Sequence, residues 1–132
     1  MKIDKADGSV VWTRDFVNQA LITSVVIGPD GNLYVGGAAG PQAEVYNGPR
    51  GVTTLGNGNR EAMVLKFDPN GNVLWRVFCG GPASGEYVAG LAADGLNIHV
   101  LLNLAGSTSL YNQDNTAAGT AIATLEIGRA HV

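Results

Sequence analysis

Asp68, Asn70 and Asn72 place oxygen-bearing side chains at i, i+2 and i+4. Calcium loops present ligands with that alternation. Such loops also need a bidentate carboxylate further along, and none stands at the expected spacing. Pro69 and Gly71 within the same stretch fit a tight turn between two apolar runs, so these residues read as turn formers rather than metal ligands. His99 lies between Ile98 and Val100, and a general base there would need a partner the sequence does not display. Cys79 is the only cysteine, which excludes an intramolecular disulfide and a thiolate metal cluster. Its apolar neighbours make it a small core residue. Ser107, Thr108 and Ser109 lack a nucleophile context. There is no phosphate loop, no zinc-binding histidine pair and no Rossmann glycine pattern. No residue is therefore assigned to catalysis, to a metal or to a cofactor.

Composition narrows the class further. The 132 residues carry a net charge of −3 with basic side chains scattered singly, so the electrostatic footprint of a nucleic-acid binder is missing. No run of about 18 apolar residues exists to span a membrane. With 45% hydrophobic and 14% charged residues, a packed core is expected rather than disorder. Nineteen Gly and five Pro favour short strands joined by many turns.

Along the chain, residues 1–4 read as a strand end, 5–9 as an Asp-Gly turn and 10–16 as a strand. Strands follow at 21–27 and 32–36 around Gly28-Pro29-Asp30-Gly31, then at 62–67 and 73–79 around the Asp68–Asn72 turn. A further pair is expected at 87–93 and 98–104, joined at Asp94-Gly95. A last strand begins at 120–125. Two stretches read as long loops, 37–59 (with a short piece at Val52–Leu55) and 105–119; loops of that length are more often functional than short ones. Val73–Cys79 is apolar at nearly every position, which predicts a strand covered on both faces.

The pattern repeats. Asp4 and Asp68 are 64 residues apart, Trp12 and Trp75 63, Gly31 and Gly95 64, and Val35 and Val100 65. A period of about 64 residues with four short strands per unit is the signature of a repeat architecture, and such antiparallel units form the blades of β-propellers. The recurrence gives Trp12 and Trp75 a packing role. The expected fold class is all-β, built from consecutive four-stranded antiparallel blades of an incomplete β-propeller.

Asp30-Gly31-Asn32-Leu33-Tyr34-Val35-Gly36-Gly37 and Val64 to Trp75, followed by Cys79-Gly80-Gly81, resemble the SBBP-type β-propeller repeat, with a looser likeness to the NHL repeat. The likeness covers about two thirds of the chain; the second copy departs from it, with an extra residue in 94–100 and Leu101-Leu102 in place of Gly-Gly. The resemblance implies that residues 21–79 form one complete blade. Residues 1–16 would then be the last two strands of a preceding blade, and 87–125 the first three of the next, about two and a half blades in all. Such an open fan implies a fragment of a larger protein, whose remaining blades would cover the exposed faces. The heptapeptide Glu126–Val132 is similar to translated sequencing-adapter DNA, and we set it aside as a non-native tail.

The same labelling implies that the short turns gather at one end of the blades and the long loops at the other. Tyr46, Arg50, Asn57, Arg60, Glu86, Tyr111, Asn112 and Asp114 are the candidate binding residues on the loop-rich side. The resemblance implies a non-catalytic binding or structural scaffold with a protein or carbohydrate partner, in an extracellular or cell-surface setting. As an alternative, Asp4–Trp12 also resembles the tryptophan-bearing repeat of quinoprotein dehydrogenases, which use pyrroloquinoline quinone. Their metal ligands and vicinal cysteines have no counterpart in this sequence.

Overall fold

In the computed structural model, residues 1–46, 52–54, 60–80, 85–104, 108–113 and 121–125 are described. All regular structure among them is β. Four strands form the centre: β4 (Ala20–Ile27), β5 (Leu33–Ala39), β8 (Glu61–Phe67) and β9 (Val73–Gly80). Each pairs antiparallel with the next, as expected from their apolar runs and intervening turns. The short strands β1 (Lys2–Ile3) and β2 (Val10–Trp12) form one separate hairpin, and β10 (Tyr87–Ala93) and β11 (Ile98–Asn103) another. Among the described residues no sheet closes on itself.

The turns follow from side-chain chemistry. At Asp68–Asn72 the Asp68 carboxylate accepts the backbone N–H groups of Asn70 and Asn72, at 2.9 Å each, and the Asn72 side-chain amide at 2.8 Å. Gly71 sits at φ +82°, the left-handed conformation this turn demands and glycine adopts without penalty. Asp30 and Asp94 cap their own turns in the same way. At the opposite end of the sheet, Asn18 and Gln19 take positive φ values just before β4, and the Gln19 carbonyl accepts the Gly40 N–H.

Because strand side chains alternate, the central sheet has two apolar faces. On one, Val35, Met63, Leu65, Phe67 and Phe78 form a buried cluster with Ala39, Ala43 and Val45. This face is covered by a small sheet of β3 (Phe16–Val17), β6 (Glu44–Tyr46) and β7 (Val52–Thr54), and by Trp12, whose ring stacks on Phe67 at 6.4 Å. On the other face, Ala62, Val64 and Cys79 pack under Val88, with Leu91 and Leu102 of the β10–β11 hairpin beside them. Complete burial of a residue like Val88 stabilises by about 1.5–3 kcal/mol.

The covering hairpins touch the sheet at repeat-related places. Trp12 Nε1 and Lys2 Nζ donate to the Pro69 carbonyl at 3.0 and 3.1 Å, and Arg14 Nε donates to that of Gly71 at 2.6 Å. The strand pair carrying Trp12 thus grips the turn of the strand pair carrying Trp75, its sequence counterpart. On the other face β10 lies along β4, again its counterpart. The Thr23 hydroxyl is within hydrogen-bond reach of the Gly36 and Val88 carbonyls, and Ser24 Oγ accepts the Leu91 N–H at 3.2 Å. Gly36 makes this approach feasible, since a side chain there would collide with Val88.

Three features differ from the expectations. The 37–59 stretch is not one loop: β5 runs on to Ala39, and β6 and β7 follow, the latter at the expected short piece. Within 105–119, Thr108–Gln113 is a strand, β12, paired to the outer edge of β9. Ala121–Leu125 (β13) pairs with β12 and not with the β10–β11 hairpin, so the outer two strands enlarge the central sheet to six, in the order β13-β12-β9-β8-β5-β4. A third strand of the next unit is therefore not seen at 121–125. The edge of β9 offers unpaired backbone groups, and that opportunity outweighs the polar character of 108–113. The tail at 126–132 lies outside the described residues.

Candidate functional site

The turn-rich end of the sheet is built from carboxylates that the fold itself uses. Both Asp68 oxygens are committed to their own turn. Asp30 accepts from Asn32 and from the Tyr34 hydroxyl, each at 2.8 Å, and pairs with Lys66 Nζ at 3.0 Å. Those hydrogen bonds, Asn32 first, hold its carboxyl well below the usual range, while Tyr34 and Asp30 raise the Lys66 ammonium. His99 Nε2 stands 2.6 Å from Asp94 Oδ2, and this contact, with the Leu96 and Asn97 N–H groups, lowers Asp94 to about 2. Both side chains of that pair are well exposed, so the pair ties strand to turn in open solvent, and no nucleophile stands beside it among the described contacts. The turn reading of Asp68, Asn70 and Asn72 agrees with this geometry.

Between the sheet and each covering hairpin runs an open apolar cleft. The larger, about 650 Å³, lies between the β1–β2 hairpin and the β4–β5 side of the sheet, lined by Trp12, Phe16, Ile22, Val25, Ile27 and Val35 among others. The smaller, about 260 Å³, separates β8–β9 from β11 and is bounded by Trp75, Val77, Cys79, Val100 and Leu102. The larger cleft also has Lys2, Arg14 and Asp68 in its lining, all three engaged in hydrogen bonds at the Asp68–Asn72 turn; the residues lining the smaller are apolar.

The opposite end of the sheet differs. Glu61 opens β8 and is only 6% exposed, and Glu86, immediately before β10, is 0% exposed. Glu61 Oε2 and both Glu86 carboxylate oxygens have no hydrogen-bond partner. Glu61 lies across Gly80 at the end of β9, where any side chain would run into its carboxylate. The Gly85 N–H donates to the Arg60 carbonyl at 3.4 Å, tying the approach to β10 to the start of β8. Burial, and then the neighbouring Glu86 charge, raise the Glu61 carboxyl.

Of the candidate binding residues, the structure brings Arg60 and Glu86 to this one end, Arg60 exposed and Glu86 buried. Tyr46 ends β6 opposite Val52. Tyr111 and Asn112 are paired to Phe78 and Val77 within β12, in a strand rather than a loop. Arg50, Asn57 and Asp114 lie outside the described residues, as do the side chains of Tyr46, Tyr111 and Asn112. Sequence reasoning missed Glu61. Its one signal was a carboxylate heading the otherwise apolar run Ala62–Leu65.

No family model, curated protein or solved structure matches the chain. No helix long and apolar enough to cross a membrane occurs among the described residues.

Proposed function

We propose that the chain is a segment of a β-propeller built from SBBP-type repeats and serves as a non-catalytic binding or structural scaffold, its four central strands forming one blade. The observation that carries this reading is the repeat-related stacking on both faces of the sheet. The Trp12 strand pair sits on the Asp68–Asn72 turn, and β10 lies along β4. A propeller places counterpart strands of successive blades side by side in this manner. The scaffold half of the reading draws on the site chemistry: the turn carboxylates are spent on structure, the clefts are mainly apolar, and the charged groups lining the larger one are bound at the Asp68–Asn72 turn. A protein or carbohydrate partner would be met at the loop-rich end, around Arg60.

Electron microscopy of the full gene product tests the architecture. A ring of radially arranged blades is expected, and a closed two-sheet sandwich would overturn it. Dye-linked alcohol oxidation in the presence of pyrroloquinoline quinone tests the non-catalytic part. No turnover is expected, and quinone-dependent turnover would favour the dehydrogenase reading.

A further inference from the structure

Three carboxylate oxygens, Glu61 Oε2 and both of Glu86, are removed from water without hydrogen-bond partners, the least explained feature of the described residues. Each buried carboxylate would cost several kcal/mol if left charged and unpaired. Their placement is deliberate in one respect: Gly80 leaves open the space into which the Glu61 side chain folds. The two come from different elements, the start of β8 and the approach to β10, held together by the Gly85–Arg60 backbone hydrogen bond. An occupant that satisfies them must bring positive charge, fit between oxygen donors and tolerate irregular geometry.

We propose that Glu61 and Glu86 together bind one hard divalent cation of the calcium class at the loop-rich end of the sheet. Two carboxylates balance one divalent charge. Calcium accepts carboxylate and main-chain oxygens in flexible arrangements of about six to eight ligands, whereas magnesium requires near-ideal octahedral geometry. Zinc is disfavoured because it is held mainly by nitrogen and sulfur ligands, and neither His99 nor Cys79 accompanies the pair. Among the described residues no group of three or more His, Cys, Asp or Glu side chains gathers, so the remaining ligands are main-chain carbonyls and water. Bound there, the ion fastens β8 to the strand that begins the next hairpin. It thereby couples the stacking of one repeat on another to calcium, a property independent of what the scaffold binds.

Calorimetric titration of the chelator-treated chain with calcium chloride tests the site, alongside E61Q and E86Q. One ion per chain is expected, with a dissociation constant on the order of 10⁻⁴ M or tighter and weakening of roughly tenfold or more in each variant. Thermal unfolding supplies the second readout. Calcium raises the midpoint of the parent chain. Without calcium, E61Q unfolds at or above the parent midpoint because it removes an unpartnered buried charge, and calcium then leaves it unmoved. D68N distinguishes the turn carboxylate as a source of any signal. The proposal is overturned if the parent chain binds no calcium at 10 mM (a concentration roughly a hundredfold above the expected constant), or if E61Q and E86Q both bind as the parent does.

Discussion

At the scale of single residues, carboxylates divide into those that build turns and those that do not. Asp30 shows the first kind. Its hydrogen bonds to Asn32 and Tyr34 and its pair with Lys66 lower its folded pKa beneath its unfolded value. The stabilisation is therefore present above about pH 4, the ordinary aspartate range, and is lost as pH falls through the lower folded value. Tyr34→Phe removes the 2.8 Å hydroxyl contact. In the variant, the Asp30 carboxyl should titrate at higher pH by carbon-detected NMR, and acid unfolding should begin earlier. An unchanged Asp30 titration would show that the hydroxyl contributes nothing. The turn role of Asp68 was legible from Pro69 and Gly71 alone, because turn chemistry is local. Glu61 and Glu86 were not legible as a pair: what brings their segments to one end is the Gly85–Arg60 backbone hydrogen bond, which no local spacing encodes. From the sequence, Glu86 could be assigned only to the end away from the short turns.

At the scale of elements, the strands that read clearly are those with two apolar faces. β4, β5, β8 and β9 form where their patterns and Asp-Gly or Asn-Gly turns placed them. β12 did not read as a strand, because its residues are largely polar and its partner is a free edge 29 or more residues back in sequence; availability of backbone groups, rather than side-chain pattern, decides such a case. Two substitutions test the contacts between elements. Gly36→Ala puts a methyl group against Val88 and should destabilise by about 1–3 kcal/mol through overpacking, read as a lower denaturant midpoint. Stability equal to the parent would mean that β10 does not lie so close to β5. Trp12→Phe keeps the stack on Phe67 but loses the indole hydrogen bond to Pro69. It should cost about 1 kcal/mol, and a neutral result would place the β1–β2 hairpin away from that turn.

At the scale of the whole molecule, the described sheets do not close, and apolar side chains stand in solvent along β4. Val25 is 60% and Ile27 70% exposed, both beside the larger cleft. Soluble monomers seldom leave such a patch contiguous. The isolated chain should therefore bind a hydrophobic dye and associate with rising concentration, and V25K/I27K should reduce both. A dye-silent monomer would show that this face is satisfied. The all-β, antiparallel character was legible from the apolar runs and the Asp-Gly and Asn-Gly turns between them. The sequence did not anticipate that β12 and β13 would widen the central sheet: 105–119 read as a loop, and 120–125 read as the third strand of the next unit rather than as a partner of β12.

The β10–β11 hairpin covers one face of the central sheet, and the stacked arrangement stands or falls with that contact. Cys79 lies on that face, 3% exposed and packed with Val88, and it is the only thiol in the chain. Its alkylation rate in the native protein is the most direct measurement. Protected by the hairpin, Cys79 should react far more slowly than in the denatured chain, since only opened molecules expose it. Val88→Asp, which forces a charge into the packed interface, should accelerate the reaction while circular dichroism still reports β structure. A native Cys79 that reacts as fast as the denatured thiol would contradict the stacked arrangement.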